Sequence, residues 1–194
     1  MNSASGTYFG YITKLYSSAM LIDDSKVNDA YDLLLNNMQN VVIFGNGGSA
    51  AIADHFCCDF VKGVRGDTNL LPKCTSLVSN GPLLTALAND TRYNNIFGSQ
   101  ISYHQPTLAI AVSSSGNSMN ILEGLAAAKY HGAKTIALVG FDGGKVLSEN
   151  LANVIIHIKS NNYGIVEDSH MMVLHALVQK MRTDYCIQGN QLKL

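Results

Sequence analysis

Charge is scarce in this sequence. Lys, Arg, Asp and Glu make up 14% of its 194 residues, against 47% hydrophobic residues, and the formal net charge is −1. No basic run occurs, which argues against a nucleic-acid partner. A surface so poor in charge is most simply covered by contacts between copies of the chain. Long apolar runs are also missing. They are interrupted within about eight residues, well short of what a transmembrane helix needs. Residues 1–20 lack a charged segment followed by an apolar one, so no secretory leader is expected and the cytoplasm is the expected compartment. The four cysteines, Cys57, Cys58, Cys74 and Cys186, include no CxxC pair, so neither a thiolate zinc site nor a disulfide framework is indicated. Buried thiols in a reducing compartment are expected instead. Internal repeats, low-complexity segments and linkers are absent.

What remains reads as one domain over 1–194, with N-terminal helices (1–40), an αβα core (41–187) and a polar tail (188–194). Tyr8, Ile12, Leu15, Tyr16 and Ala19 recur at helical spacing, as do Val27, Ala30, Tyr31, Leu34, Leu35 and Met38, with Ser25 as the expected N-cap of the second helix. From residue 41 short apolar runs alternate with helical stretches. The runs are 41–44, 75–78, 108–112, 135–139 and 154–158. They are rich in β-branched residues and almost continuously apolar, as strands are when both faces of a parallel sheet are covered. The stretches between and after them, about 50–62, 82–88, 118–131, 144–151 and 166–186, carry helical periodicity. This alternation predicts right-handed βαβ crossovers and an α/β, doubly wound, three-layer αβα fold of the flavodoxin-like kind on a five-stranded parallel sheet.

Ligands of such sheets bind beyond the carboxyl ends of the strands. Gly45-Asn46-Gly47-Gly48-Ser49 follows the first strand and Ser113-Ser114-Ser115-Gly116-Asn117-Ser118 the third, each running into a helix, and Gly140-Phe141-Asp142-Gly143-Gly144-Lys145 follows the fourth. The serine loop is the most telling. A helix start offers unpaired N–H groups and partial positive charge, four hydroxyls add donors without bulk, and Gly116 allows close backbone approach. These residues predict a phosphate site. The glycine loop is neither a dinucleotide fingerprint nor a P-loop: Ala50 stands where GxGxxG needs a third glycine, and GxxxxGK[ST] is absent. Its glycines clear space for a ligand that Ser49 can reach.

The stretch 50–62 carries His55 and Asp59 at i, i+4, on one face. The stretch 166–186 carries Glu167, Asp168, His170 and His175, with Glu167 and His175 offset by about 80° around the axis. Two helices that each offer a carboxylate and an imidazole can converge on a divalent metal or a proton-transfer site, or remain polar surface and core-edge histidines. His104, His131 and His157 read as structural.

The segments GNGGSAAIADHF, LTALANDTRYNNIF, SSSGNS and VGFDGGK, taken together, resemble the SIS (sugar isomerase) domain family, and within it the sedoheptulose 7-phosphate isomerase (phosphoheptose isomerase) subfamily, over nearly the whole chain. The resemblance implies a homotetramer with active sites at subunit interfaces and a phosphosugar substrate. It implies aldose–ketose isomerisation of sedoheptulose 7-phosphate to D-glycero-D-manno-heptose 7-phosphate, for lipopolysaccharide or capsule heptose. Substrate contacts then fall at Ser49, Asn89, Asp90, Ser113, Ser114, Ser115, Ser118 and Glu167. One Zn²⁺ per subunit would be held by His55, Asp59, Glu167 and His175, with Asp59 and His175 as the catalytic pair. The chain departs from the family at four of these neighbourhoods. Asp59 replaces glutamate, shortening the arm by roughly 1.5 Å; Glu167 replaces glutamine, adding a charge. Gly63 and Gly164 stand where an arginine and an aspartate near the substrate are expected, with Lys62 or Arg65 as possible substitutes for the arginine. The alternatives are an isomerase of another phosphosugar and a non-catalytic binding module of the replication-initiator-associating type.

Overall fold

The computed structural model describes residues 7–187, so the expected tail at 188–194 lies outside the described residues. Two helices, α1 (Thr7–Ala19) and α2 (Asp24–Asn37), precede β1 (Val41–Gly45). Helix α3 (Gly48–Cys58) runs without a break into a π-helical segment, Asp59–Val64, and a single turn α4 (Arg65–Asp67). After β2 (Cys74–Ser76) come α5 (Gly81–Asp90), a 3₁₀ turn Tyr93–Asn95 and α6 (Ile96–His104). The rest alternates: β3 (Leu108–Ser113), α7 (Met119–Tyr130), β4 (Lys134–Val139), α8 (Gly144–Ser148), β5 (Val154–His157) and α9 (Tyr163–Asp184).

The five strands form one parallel sheet in the order β2-β1-β3-β4-β5. Successive side chains of a strand point to opposite faces, and each face has its own core. Val41 and Ile43, with Leu108, Ile110 and Val112, pack under α2, α3 and α9 together with Leu34, Phe56, Phe60 and Leu174. Val42, Phe44, Ala109 and Ala111 face α5, α6, α7 and α8, against Leu87, Phe97, Ile121 and Val146. Strand order reverses between β1 and β3, so the loops that leave their carboxyl ends flank the switch-point crevice. These are the glycine loop and the serine loop.

Four local features differ from the sequence reading. The N-cap of α2 is Asp23, not Ser25. The Asp23 carboxylate accepts from the Ser25 amide at 3.0 Å and the Ser25 hydroxyl at 2.7 Å, which holds its pKa below the usual carboxylate value. Ile96–His104 is a helix that the sequence pattern did not suggest. Ile96, Phe97, Gly98, Gln100 and Ile101 are all buried, so no polar face marks the 3.6-residue period. The helix expected over 50–62 changes to π geometry at Asp59. Finally, α1 forms as expected but buries none of its residues: Tyr8 is 79% and Tyr16 65% exposed.

Candidate active site

The glycine loop turns tightly. A Cβ on Gly45 would collide with the Ser49 backbone, and Gly47 has φ +54°. The turn aims the start of α3 at the crevice and leaves Ser49 4% exposed at its wall. Opposite, the serine loop folds on itself. The Ser113 hydroxyl accepts from the Gly116 amide at 3.2 Å and the Ser115 hydroxyl from the Asn117 amide at 3.3 Å. Gly116, with φ +60°, packs on the Gly143 carbonyl, where any side chain would clash. Asn117 accepts from the Lys145 amide at 2.9 Å, and Gly140 donates to the Ser114 carbonyl at 3.0 Å. The third loop, Gly140–Lys145, therefore buttresses the serine loop from behind. Among the described residues, the Ser114 hydroxyl is buried and has no partner. A buried hydroxyl left unbonded costs about 1–3 kcal/mol, unless a ligand satisfies it.

Between the two loops lies a cavity of about 280 Å³, lined by Asn46 to Ser49, Ser113 to Ser115, Ser118, Tyr163 and Glu167. The starts of α3 and α7 both face it, which favours negative charge within it. Glu167 shares this place: its carboxylate lies where a Cβ of Gly48 would be, over the first turn of α3.

At the far end of α3 a second group assembles. His55, Asp59 and His175 bring one ligand atom each to within 4.8 Å of one another. The His55 and His175 Nε2 atoms are 3.0 Å apart, and Asp59 Oδ2 is 3.1 Å from the first and 3.4 Å from the second. Donors bound at 2.0–2.1 Å in a tetrahedron stand about 3.3 Å apart, so the spacing and donor types fit Zn²⁺. Glu167 is not in this group. Eight residues before His175 on α9, it is about 12 Å away along the axis, at the serine-loop cavity. Asn89 and Asp90 stand exposed at the end of α5, bonded to each other at 2.9 Å, and line neither place.

Two departures from the resemblance acquire neighbours. At Gly164 a Cβ would stand 3.0 Å from the Tyr11 hydroxyl, which donates to Asp168 at 2.6 Å. Partial burial and the Asp168 bond push the Tyr11 pKa up to about 12. At Gly63 the nearest side chain is Arg182 of α9; neither Lys62 nor Arg65 lines the cavity there. Sequence reasoning missed Arg182, although its seven-residue spacing from His175 puts both on one face of α9. It also missed Asn120, buried at the start of α7, whose carboxamide bonds that of Asn46. His170 is fully buried, and its ring nitrogens have no hydrogen-bond partner among the described residues.

The SIS domain family matches residues 7–140. A phosphoheptose isomerase of Halorhodospira halophila is 36% identical over 143 residues, 72% of this chain and 71% of that one. One of Colwellia psychrerythraea is 34% identical over 155 residues, 77% and 78% of the two chains. The structure of a phosphoheptose isomerase from Neisseria gonorrhoeae superposes with a TM-score of 0.80 at 25% identity, covering 91% of this chain and 95% of that one.

Proposed function

The chain belongs to the SIS-domain family, on its phosphoheptose isomerase branch, and from that premise we propose that it interconverts sedoheptulose 7-phosphate and D-glycero-D-manno-heptose 7-phosphate. The observation that carries this is the joint presence of two things: a phosphate cradle with an unpartnered Ser114 hydroxyl, and a carboxylate within 3.4 Å of an imidazole.

Ser113, Ser114, Ser115 and Ser118, with the N–H groups that open α7, grip the phosphate. That remote binding energy orients the sugar. Ser49 reaches the sugar from the start of α3. The Asp59 carboxylate removes the proton α to the carbonyl, giving a cis-enediol. His175 serves the neighbouring oxygen as acid and then base, and the proton returns to the adjacent carbon. His55, Asp59 and His175 would hold Zn²⁺, which when bound supplies Lewis-acid polarisation of the substrate oxygens. Glu167, beside the cradle, contacts the substrate in this reading; to join the metal its carboxylate would have to leave the start of α3.

The exposed Asn89 and Asp90, the low surface charge and the bare aromatic face of α1 support a homotetramer whose sites are completed across subunit interfaces. A single SIS domain acting in the cytoplasm, supplying heptose for lipopolysaccharide or capsule, is the setting that fits. Among the described residues no helix is long and apolar enough to cross a membrane.

An NMR or mass-based assay with sedoheptulose 7-phosphate, with and without added Zn²⁺, tests the reaction. Formation of the aldose is expected. No product under either condition overturns it. A second reading, isomerisation of a different phosphosugar, draws on Gly63 and Gly164, where the sugar end of the site is lined differently from the resemblance; it predicts turnover only with another ketose or aldose phosphate.

A further inference from the structure

Tyr163 opens α9 and lines the serine-loop cavity together with Ser113, Ser114 and Ser115. Glu167, one turn later on the same side of the helix, lines it too. Among the described lining residues only Tyr163 carries an aromatic ring. Its side chain stands 62% exposed, yet it is braced. The ring meets that of Phe141 edge to face, with centroids 4.7 Å apart and planes at 81°. Phe141 is itself pinned: its amide donates to the Ser160 carbonyl at 3.0 Å, and its carbonyl accepts from His157 Nε2 at 2.9 Å. Its φ is +51°, a left-handed backbone that a bulky residue adopts only under constraint. Such strain persists where the surrounding structure enforces it, and ligand clamps are among the places where it collects. Here its result is a fixed ring against which Tyr163 rests. Phe141 belongs to the loop that also buttresses the serine loop, through Gly140 and the Ser114 carbonyl. The aromatic wall and the phosphate cradle thus share one support.

An aromatic face is negative and has nothing to offer an anion. What it offers is apolar surface, and the part of a phosphosugar that needs such surface beside a phosphate cradle is the carbon chain next to the ester oxygen. We propose that the Tyr163 ring is a specificity-determining contact that packs on the phosphate-bearing carbon and its neighbour, so that the cavity selects a phosphate monoester over free phosphate. The inference rests on the reading of the serine loop as a phosphate cradle and is independent of the chemistry at Asp59 and His175.

The test titrates wild type, Y163F, Y163L and Y163A calorimetrically with inorganic phosphate, glycerol 3-phosphate and sedoheptulose 7-phosphate, beside thermal melts and the isomerase assay. Glycerol 3-phosphate carries the ester carbons without the reacting end of the sugar. Y163A is expected to bind both esters roughly four- to fifteenfold more weakly, the worth of one or two methylenes returned to water. It should bind inorganic phosphate as wild type does, which also shows that the cradle is still folded. Y163F keeps the ring and should bind all three ligands normally, and Y163L should fall between. Equal losses for esters and inorganic phosphate in Y163A, or no loss at all, overturn the proposal. A loss in Y163F as large as in Y163A overturns it too, by placing the contact on the hydroxyl. Wild type that binds neither phosphate nor esters overturns the cradle and the contact with it. Wild type that binds sedoheptulose 7-phosphate without isomerising it overturns the reaction alone, while a selective loss of esters in Y163A still upholds the contact.

Discussion

The carboxamides of Asn46 and Asn120 bond each other in both directions, at 2.9 and 2.8 Å, and so fasten the glycine loop to the first turn of α7. Tyr93 adds a bond to Asn46 at 3.2 Å. The two loops that face each other across the crevice are thus tied to one another. Asn120→Ala breaks both bonds at a buried position and should cost about 1–3 kcal/mol in denaturant unfolding. The Michaelis constant for the phosphosugar should rise more than the turnover number falls, because the loops lose their spacing and not their groups. An unchanged Michaelis constant would show that the loops hold their spacing without the pair.

Ser114→Ala separates binding from folding. Its hydroxyl is buried and unpartnered, so removing it should leave thermal stability unchanged or slightly raised. Affinity for inorganic phosphate should drop roughly ten- to a hundredfold, the worth of one hydrogen bond to a charged group. Calorimetry and a thermal melt on the same sample read both; a loss of stability with unchanged affinity contradicts the assignment.

Asp59→Asn keeps the shape but not the base. Turnover should fall by about 10²–10⁴ while phosphosugar binding persists. Asp59→Glu restores a carboxylate with one more methylene. Because Asp59 already stands 3.1 and 3.4 Å from the two imidazoles, the longer arm overshoots. A displacement of ~1 Å should still cost about 100-fold. Metal content, measured on each variant, shows whether the loss lies in the base or in the ion.

Gly48→Ala places a methyl where the Glu167 carboxylate lies, and because that carboxylate ends a flexible side chain it should swing aside at a small cost in stability. Gly48→Ala with Glu167→Ala should recover most of the loss, a coupling that a double-mutant cycle in denaturant measures directly. Additive effects of the two changes would mean that the carboxylate does not rest on the α3 start.

His170 makes stability depend on acid. Burial pushes its pKa from 6.5 down to about 4. Between these values the unfolded chain takes up a proton that the folded chain refuses. Its contribution is therefore complete above pH 6.5 and is lost as the pH falls from there toward 4, by at most about 3 kcal/mol. Urea melts at pH 7.5 and 4.5 should differ by about that much more in wild type than in His170→Phe. An equal difference in both proteins excludes His170 as the source.

The sheet was legible in the sequence because its inner strands are covered on both faces and so read as unbroken apolar runs; Leu108–Ser113, buried at every position, is the clearest case. The serine loop was legible because four hydroxyls after such a strand have few other uses. What stayed hidden depends on distance or on an unfamiliar period. Nothing local joins Arg182 to Gly63 or Asn120 to Asn46. The π-helical turn from Asp59 widens the helix without altering which residue types fill it, so Phe60 looks α-helical in the sequence. The convergence of His55, Asp59 and His175 needed α3 and α9 to be packed side by side, which spacing within either helix cannot reveal. Asp23 caps the amide of Ser25, the residue that the sequence pattern singled out as the cap, and only the backbone geometry shows which of the two stands outside the helix.

The edges of the sheet bear on how the molecule avoids sticking to itself in the wrong way. Its two outer strands, β2 and β5, are also the shortest, with three and four residues. Little unpaired backbone is therefore offered for another chain to extend into a fibril-like ribbon. Any association between copies would be steered toward helix faces, where side-chain shape can select the partner, and away from main-chain pairing, which selects nothing.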